Sequence, residues 1–343
     1  MGEVKLLDCT LRDGGYINDW RFGETAVKDI TNKLTESGID YIEVGFLKDE
    51  GNIPGRTVFP AVSEIEKYTH GAVKGGSTYC AMCEALNPLP VEYIEHNDGR
   101  SIDVIRVIVW KRLLKEGYRY CKGVVERGYR LCVQPNRVDQ YSFEEFREMI
   151  GLFNELSPMA LYVVDSFGLL NSDELMEYAE IADQELAGNS ALGYHGHNNL
   201  QQAFETAQAF IKRGFKRDVL LDGSVYGIGR GAGNLCTELI AEYMNRRLNK
   251  QYNVRKLLEI NDNYIQDIFK KEKWGYQPGY YLTAKHRCNP MYGLYYEGDL
   301  KLKSADIDVL LSGLSPEDKI IFNRQTAYEH AVGMGVLKKN EQT

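Results

Sequence analysis

The chain has 343 residues, 43% hydrophobic and 26% charged, enough core-forming side chains for one large domain or two smaller ones. A formal net charge of −8 argues against nucleic acid as the main partner, because phosphate binding draws on clustered Lys and Arg, and the pairs Arg246-Arg247 and Lys270-Lys271 are short. No apolar run approaches the ~20 residues of a membrane helix. The start "MGEVKLLDCTLRDGG" also lacks the basic and apolar regions of a secretion signal, so a cytoplasmic, non-membrane protein is expected.

The seven cysteines are an odd number; Cys80 and Cys83 are the nearest pair, and no second pair follows at zinc-site spacing, so reduced thiols are expected. The pattern then alternates. Val4 to Asp8 predicts a short strand, broken by "TLRDGG". Ala26, Val27, Ile30 and Leu34 recur at helical spacing over Glu24 to Ser37. Tyr41 to Phe46 predicts a strand, Pro60 to Tyr68 a helix opened by its proline, and Val73 to Met82 a glycine-weakened strand. Val104 to Trp110 is strongly strand-like. Helix, strand and helix follow over Lys115 to Gly128, Tyr129 to Val133 and Phe143 to Leu156. Ala160 to Val164 is a strand running into "DSFG", and Ser172, a capping residue type, opens a helix to Leu186. The strand before "GYHGHNNL", the helix Leu200 to Lys212, the strand Val219 to Leu221 and the helix Leu235 to Leu248 complete the series. About eight strand–helix alternations within ~250 residues predict a TIM (β/α)8 barrel over residues 1–248. From residue 249 to 343 the rhythm changes to a C-terminal α-helical region. Within it, 253 to 273 and Pro316 to Gly333 are expected as helix and "GYQPGYYL" as turn or loop.

In such a barrel, chemistry collects at the C-terminal ends of the strands. That rule selects Asp8, Arg12 and Asp13 after the first strand, Glu43 on the second, and Asp165 and Ser166 after the sixth. It selects His195 and His197 on the seventh, and Asp222, Tyr226, Arg230 and Asn234 after the eighth. His195 and His197 are two apart, so on a strand both imidazoles face one way and offer half of a divalent-metal site; the plain alternative is a structural pair. Asp13 is the expected carboxylate partner, since strands one and seven are near neighbours in a closed barrel, while Asp8 is suited to anchoring the loop. "GIGRGAGN" reads as a phosphate cradle or, preferably, as a tight turn that brings backbone close to the metal centre; it stands in the wrong place for a dinucleotide fingerprint. The tyrosines Tyr292, Tyr295 and Tyr296 either close over the barrel mouth or pack the C-terminal region.

The segments "LLDCTLRDGG", "VVDSFG", "GYHGHNNL" and "DGSVYGIGRGAGN" together resemble the signatures of the DRE-TIM metallolyases (HMGL-like), over about 250 residues and in the right order. "HGHNNL" and "RDGG" resemble the 4-hydroxy-2-oxovalerate aldolase branch. The resemblance implies metal ligands at Asp13, His195, His197 and Asn234, with Mn²⁺ or Mg²⁺ as the ion, a catalytic arginine at Arg12, and substrate contacts from Arg12, Ser166 and His195. It implies a carbon–carbon lyase of the class II pyruvate aldolase kind, joining or parting a 2-oxo acid and an aldehyde through a pyruvate enolate. Where that branch has a histidine base three residues after the metal aspartate, this chain has Tyr16, the candidate for that task. The alternatives are a Claisen-type synthase using acyl-CoA, and an inactive barrel serving as a binding subunit. The branch's C-terminal region docks an aldehyde dehydrogenase, and no motif here supports that partner. Homo-oligomerisation is left open.

Overall fold

The computed structural model describes residues 2–69 and 76–338. Eight parallel strands close into a barrel: β1 Val4–Asp8, β2 Tyr41–Leu47, β3 Thr78–Glu84, β4 Val104–Val109, β5 Arg130–Pro135, β6 Ala160–Asp165, β7 Ala191–Gly196 and β8 Val219–Gly223. Each pairs with the next in chain order, and β8 pairs with β1 over Val4↔Val219 to Asp8↔Gly223. The expected TIM barrel is therefore the fold. A two-residue strand, Val58–Phe59, adds to the top of β2. The part of the third predicted strand before residue 76 lies outside the described residues.

Seven helices cover the strands: α1 Glu24–Glu36, α2 Ser63–Thr69, α3 Leu114–Glu126, α4 Phe143–Asn154, α5 Ser172–Glu185, α6 Ala203–Arg213 and α7 Thr237–Leu248. Between β3 and β4 the described chain forms only the 3-10 turn Val91–Tyr93. That segment carries Pro88 and Pro90, which lack the N–H a helix needs. Helix α5 is capped by Asn171, one residue before the expected Ser172. Its side chain accepts from the Glu174 N–H while Glu174 accepts from the Asn171 N–H, satisfying two end donors reciprocally.

Side-chain alternation divides the core in two. Outward residues such as Ile42, Val44, Ile105, Val107, Leu192 and Leu221 pack against the helices. Inward residues at the bottom, Leu7, Tyr41, Cys80, Val104, Cys132, Ala160 and Ala191, fill the barrel floor. Two residues higher the same parity delivers charge: Glu43 above Tyr41, Arg106 above Val104 and Asp222 above Leu220, all buried.

After α7, helices α8 Val254–Ile260 and α9 Gln266–Lys271 are joined by a π turn, and Leu257, Ile260, Ile265 and Trp274 join the main core. "GYQPGYYL", expected as a turn, enters helix α10 Pro278–Lys285, with Pro278 at the first position where its missing N–H costs nothing. Helices α11 Ser304–Ser312, α12 Pro316–Ile320 and α13 Arg324–Gly333 follow. They surround a separate apolar cluster of Leu282, Tyr292, Tyr296, Ile307, Leu310 and Ala327, among others. Of the two readings of the tyrosines, the structure takes packing. Tyr292 and Tyr296 are fully buried there and donate to the Asp318 and Ala327 carbonyls. This region meets the barrel top through Ala284, which packs with Phe167 and Leu169, and through an Arg287–Glu174 ion pair.

Candidate metal centre and active site

The turn after β1 is a short helical segment, Thr10–Asp13, whose Asp13 and Arg12 are both buried. Asp8 holds it down. Its Oδ1 accepts from the Thr10 N–H at 2.9 Å and its Oδ2 from the Thr237 hydroxyl at 2.7 Å, so it is the loop anchor expected of it. Burial nevertheless pushes its pKa up to about 6. Asp165 plays the matching part after β6, accepting from the Leu169 and Leu170 N–H groups at 3.0 and 2.9 Å. Burial pushes it up to about 7.

The two imidazoles converge on Asp13. His195 Nε2 lies 3.5 Å and His197 Nε2 3.7 Å from Asp13 Oδ2. Their other nitrogens are occupied. His195 Nδ1 is 3.0 Å from Asp222 Oδ2, and His197 Nδ1 is 3.0 Å from the Arg230 carbonyl. A carboxylate and a carbonyl can only accept, so each Nδ1 carries a proton, and Nε2 is the nitrogen that a neutral ring turns toward Asp13 as its lone-pair donor. Three lone-pair donors thus face one another, and neither Asp13 oxygen has a hydrogen-bond partner. Asn234, paired across a β-bridge with His197, adds a buried Oδ1 that also has no partner. Such an arrangement is costly without a cation between the groups and suits a divalent ion of the oxygen- and imidazole-loving kind. Burial tends to raise the Asp13 pKa, but Arg12, then the imidazoles, hold it well below the usual carboxylate range. Burial lowers His197 to about 4, so it stays neutral at physiological pH.

The "GIGRGAGN" turn takes the second of its two readings. It supplies the carbonyl that orients His197, and Gly229 comes so near that an added Cβ would stand 2.1 Å from Asn234 Nδ2 and 3.4 Å from Asp13 Oδ2.

Behind these groups runs a chain of buried charge. Arg12 Nε donates to Glu43 Oε2 at 2.6 Å and its Nη1 lies 3.3 Å from Asp13 Oδ1. Arg106 Nη1 is 2.9 Å from the same Glu43 oxygen, and Arg106 also pairs with Asp222, the residue that orients His195. Arg106 escaped the sequence reasoning because it does not stand at a strand end; the signal was a lone cation on the inward parity of "VIRVIV". Cys9 was missed as well. Its Sγ lies within 4.8 Å of ligand atoms of Asp13 and His195, but it donates to the Gly223 carbonyl and burial holds it as the thiol.

The remaining expected residues stand around the rim. Tyr16 stacks edge-on against Trp20 and Phe46. Although the residue is 41% exposed, loss of water around its phenol, beside Asp13, pushes the pKa up to about 12. At neutral pH it is a hydrogen-bond donor and not a base. Ser166 donates to Asn136 Oδ1 and accepts from the Arg137 N–H, which ties β6 to the loop after β5. Tyr226 is exposed and packs on Phe269 and Trp274, away from the cluster's contacts.

Comparison with known proteins gives the following. The HMGL-like family model matches residues 112–263. A 4-hydroxy-2-oxovalerate aldolase of Bacillus thuringiensis (strain Al Hakam) is 25% identical over 266 residues, 77% of this chain and 76% of that protein. An oxaloacetate decarboxylase of Mycobacterium tuberculosis is 24% identical over 332 residues, 96% of this chain and 92% of that protein. Among solved structures, the N-terminal domain of an aldolase candidate from Bacteroides vulgatus superposes with a TM-score of 0.74 at 22% identity, covering 87% of this chain and 98% of that one; this likeness is one of fold.

Proposed function

Because this chain belongs to the HMGL-like, DRE-TIM metallolyase superfamily, we propose that it is a divalent-metal-dependent lyase that cleaves or forms a 4-hydroxy-2-oxo acid, with pyruvate and an aldehyde as the other side of the reaction. The observation that supports it most is the pair of imidazoles pinned at Nδ1 and turned with Nε2 toward Asp13. Asp13, His195, His197 and Asn234 are the residues that would hold the ion, Mn²⁺ or Mg²⁺. When bound, the ion supplies Lewis acidity to the substrate's carboxylate and 2-oxo oxygens.

Arg12, locked by Glu43, brings a fixed guanidinium to the place where the 2-oxo oxygen gains negative charge, and it needs no reorganisation to do so. Tyr16, protonated at neutral pH, donates to a substrate oxygen. Buried side chains around the cluster keep bulk water from the reacting carbons. The test is pyruvate release across a panel of 4-hydroxy-2-oxo acids with Mn²⁺ or Mg²⁺ added. Removal of the ion by chelator should abolish it, and Arg12→Ala should slow it by roughly a hundredfold or more. Turnover that survives both would end this reading.

A second reading is favoured by the phenol of Tyr16. Aldol cleavage needs a base for the C4 hydroxyl proton, and a group near 12 is a weak candidate. Loss of CO2 from a 2-oxo acid with a carboxylate at C4 reaches the same pyruvate enolate with no such base, and the relative matching nearly the whole chain is named for that reaction. Oxaloacetate in the same panel separates the two, since CO2 and pyruvate would appear without any aldehyde.

A further inference from the structure

Beside the metal-ligand cluster, the barrel mouth holds two guanidinium groups on one aromatic ring. Phe167 follows β6 and is buried. Arg137 Cζ lies 4.4 Å from its ring centre and Arg230 Cζ 5.5 Å. Arg230 also stands 6.0 Å from the Tyr16 ring, and its own backbone carbonyl orients His197. It therefore borders the cluster directly. Among the described residues no acidic side chain pairs with the Arg230 guanidinium, which is half-buried.

Arg137 is the more pointed case. It is 4% exposed, and Asp139 takes its Nε at 3.2 Å and its Nη2 at 2.6 Å. Its Nη1 is buried and has no partner. A charged N–H withdrawn from water without an acceptor is unfavourable, and it is where an anionic ligand atom is worth most. Its backbone is held at φ 58, and its N–H donates to Ser166, so the side chain's position is set by the loops after β5 and β6 together. The C-terminal region fixes the platform: Ala284 of α10 packs on Phe167 and Leu169. Stacking on that ring leaves a guanidinium's edge free for hydrogen bonding.

We propose that the 2-oxo acid this chain takes carries a second carboxylate at its far end, received by Arg230 and Arg137, the two guanidinium groups that meet on Phe167. The near end rests on the function proposed above. In the cleavage direction, the released fragment is then an aldehyde that is itself an acid.

The test is calorimetric and needs no turnover. 2-Oxoglutarate and 2-oxopentanoate have equal chain length and differ in the second carboxylate, and neither has the C4 hydroxyl that cleavage requires. With Mn²⁺ present, the wild-type protein should bind 2-oxoglutarate at least about tenfold more tightly, with a gap that narrows as salt rises. Arg230→Gln should bring the ratio close to one while leaving 2-oxopentanoate affinity within about twofold, and Arg230→Lys should keep part of it. Arg137→Lys, which keeps a charge beside Asp139 but deletes Nη1, should lower the ratio too. Equal affinities in the wild type, or an unchanged ratio in Arg230→Gln, would overturn the proposal. Pyruvate release from 4-hydroxy-2-oxo acids without this preference would defeat the carboxylate site alone. The preference without any pyruvate release would defeat the lyase reading alone.

Discussion

Which nitrogen a neutral histidine offers a metal is set by the hydrogen bond the other one makes. His195 is served by Asp222 and His197 by a backbone carbonyl, and the difference matters. Both partners orient the ring, and the charged carboxylate raises its basicity more than the neutral carbonyl does. Asp222 itself stays ionised against burial because Arg106 lies beside it. Asp222→Asn keeps the size of the side chain and an accepting oxygen but loses the charge, so the ring is held less firmly and is less basic. Mn²⁺ affinity, measured by calorimetry on the metal-free protein, should fall by about 10- to 100-fold with the fold intact. An affinity equal to wild type would show that Asp222 orients nothing.

Strand β4 illustrates how one element can carry more than packing. Its outward face is ordinary barrel core, but its inward Arg106 sits over the Tyr162 ring at 4.8 Å and pairs with both Glu43 and Asp222. Arg106→Leu would leave two buried carboxylates with too little positive charge. By the usual cost of breaking a buried ion pair it should destabilise by about 3–5 kcal/mol. Arg106→Lys, which keeps the charge and loses the fork, should cost less. Urea denaturation midpoints at pH 7 decide this, and a leucine variant as stable as wild type would mean the carboxylates find another partner.

At the scale of the whole molecule, the main barrel core and the apolar cluster under α10 to α13 are separate bodies of side chains joined through a small contact at Phe167, Leu169 and Ala284. A defect in one should be felt mainly there. Leu310 is fully buried in the C-terminal cluster. Leu310→Ala should loosen that cluster by about 2–5 kcal/mol. Hydrogen exchange read by mass spectrometry should then quicken across 278–333 while the amides of β4 to β8 keep their protection. Equal acceleration in the barrel would mean the two cores melt as one. The contact also gives the C-terminal region its bearing on chemistry, since the ring it supports is the one the mouth arginines stack on.

What the chain alone determined is what local periodicity can carry. Strand and helix spacing is a property of neighbouring residues, so the barrel, the parity of His195 and His197, and the gathering of Asp13 and Arg12 at a strand end were legible in the run of residues alone. The helix at Pro278 was hidden because glycine and proline around it read as a turn, and only packing against Phe167 and the C-terminal cluster turns that segment helical. Partnerships were beyond reach for a plainer reason. Asp8 meets Thr237 across 229 residues, and Arg106 meets Asp222 across 116. Barrel closure decides which buried charges meet, and with it the pairing of Arg106 with Glu43 and Asp222.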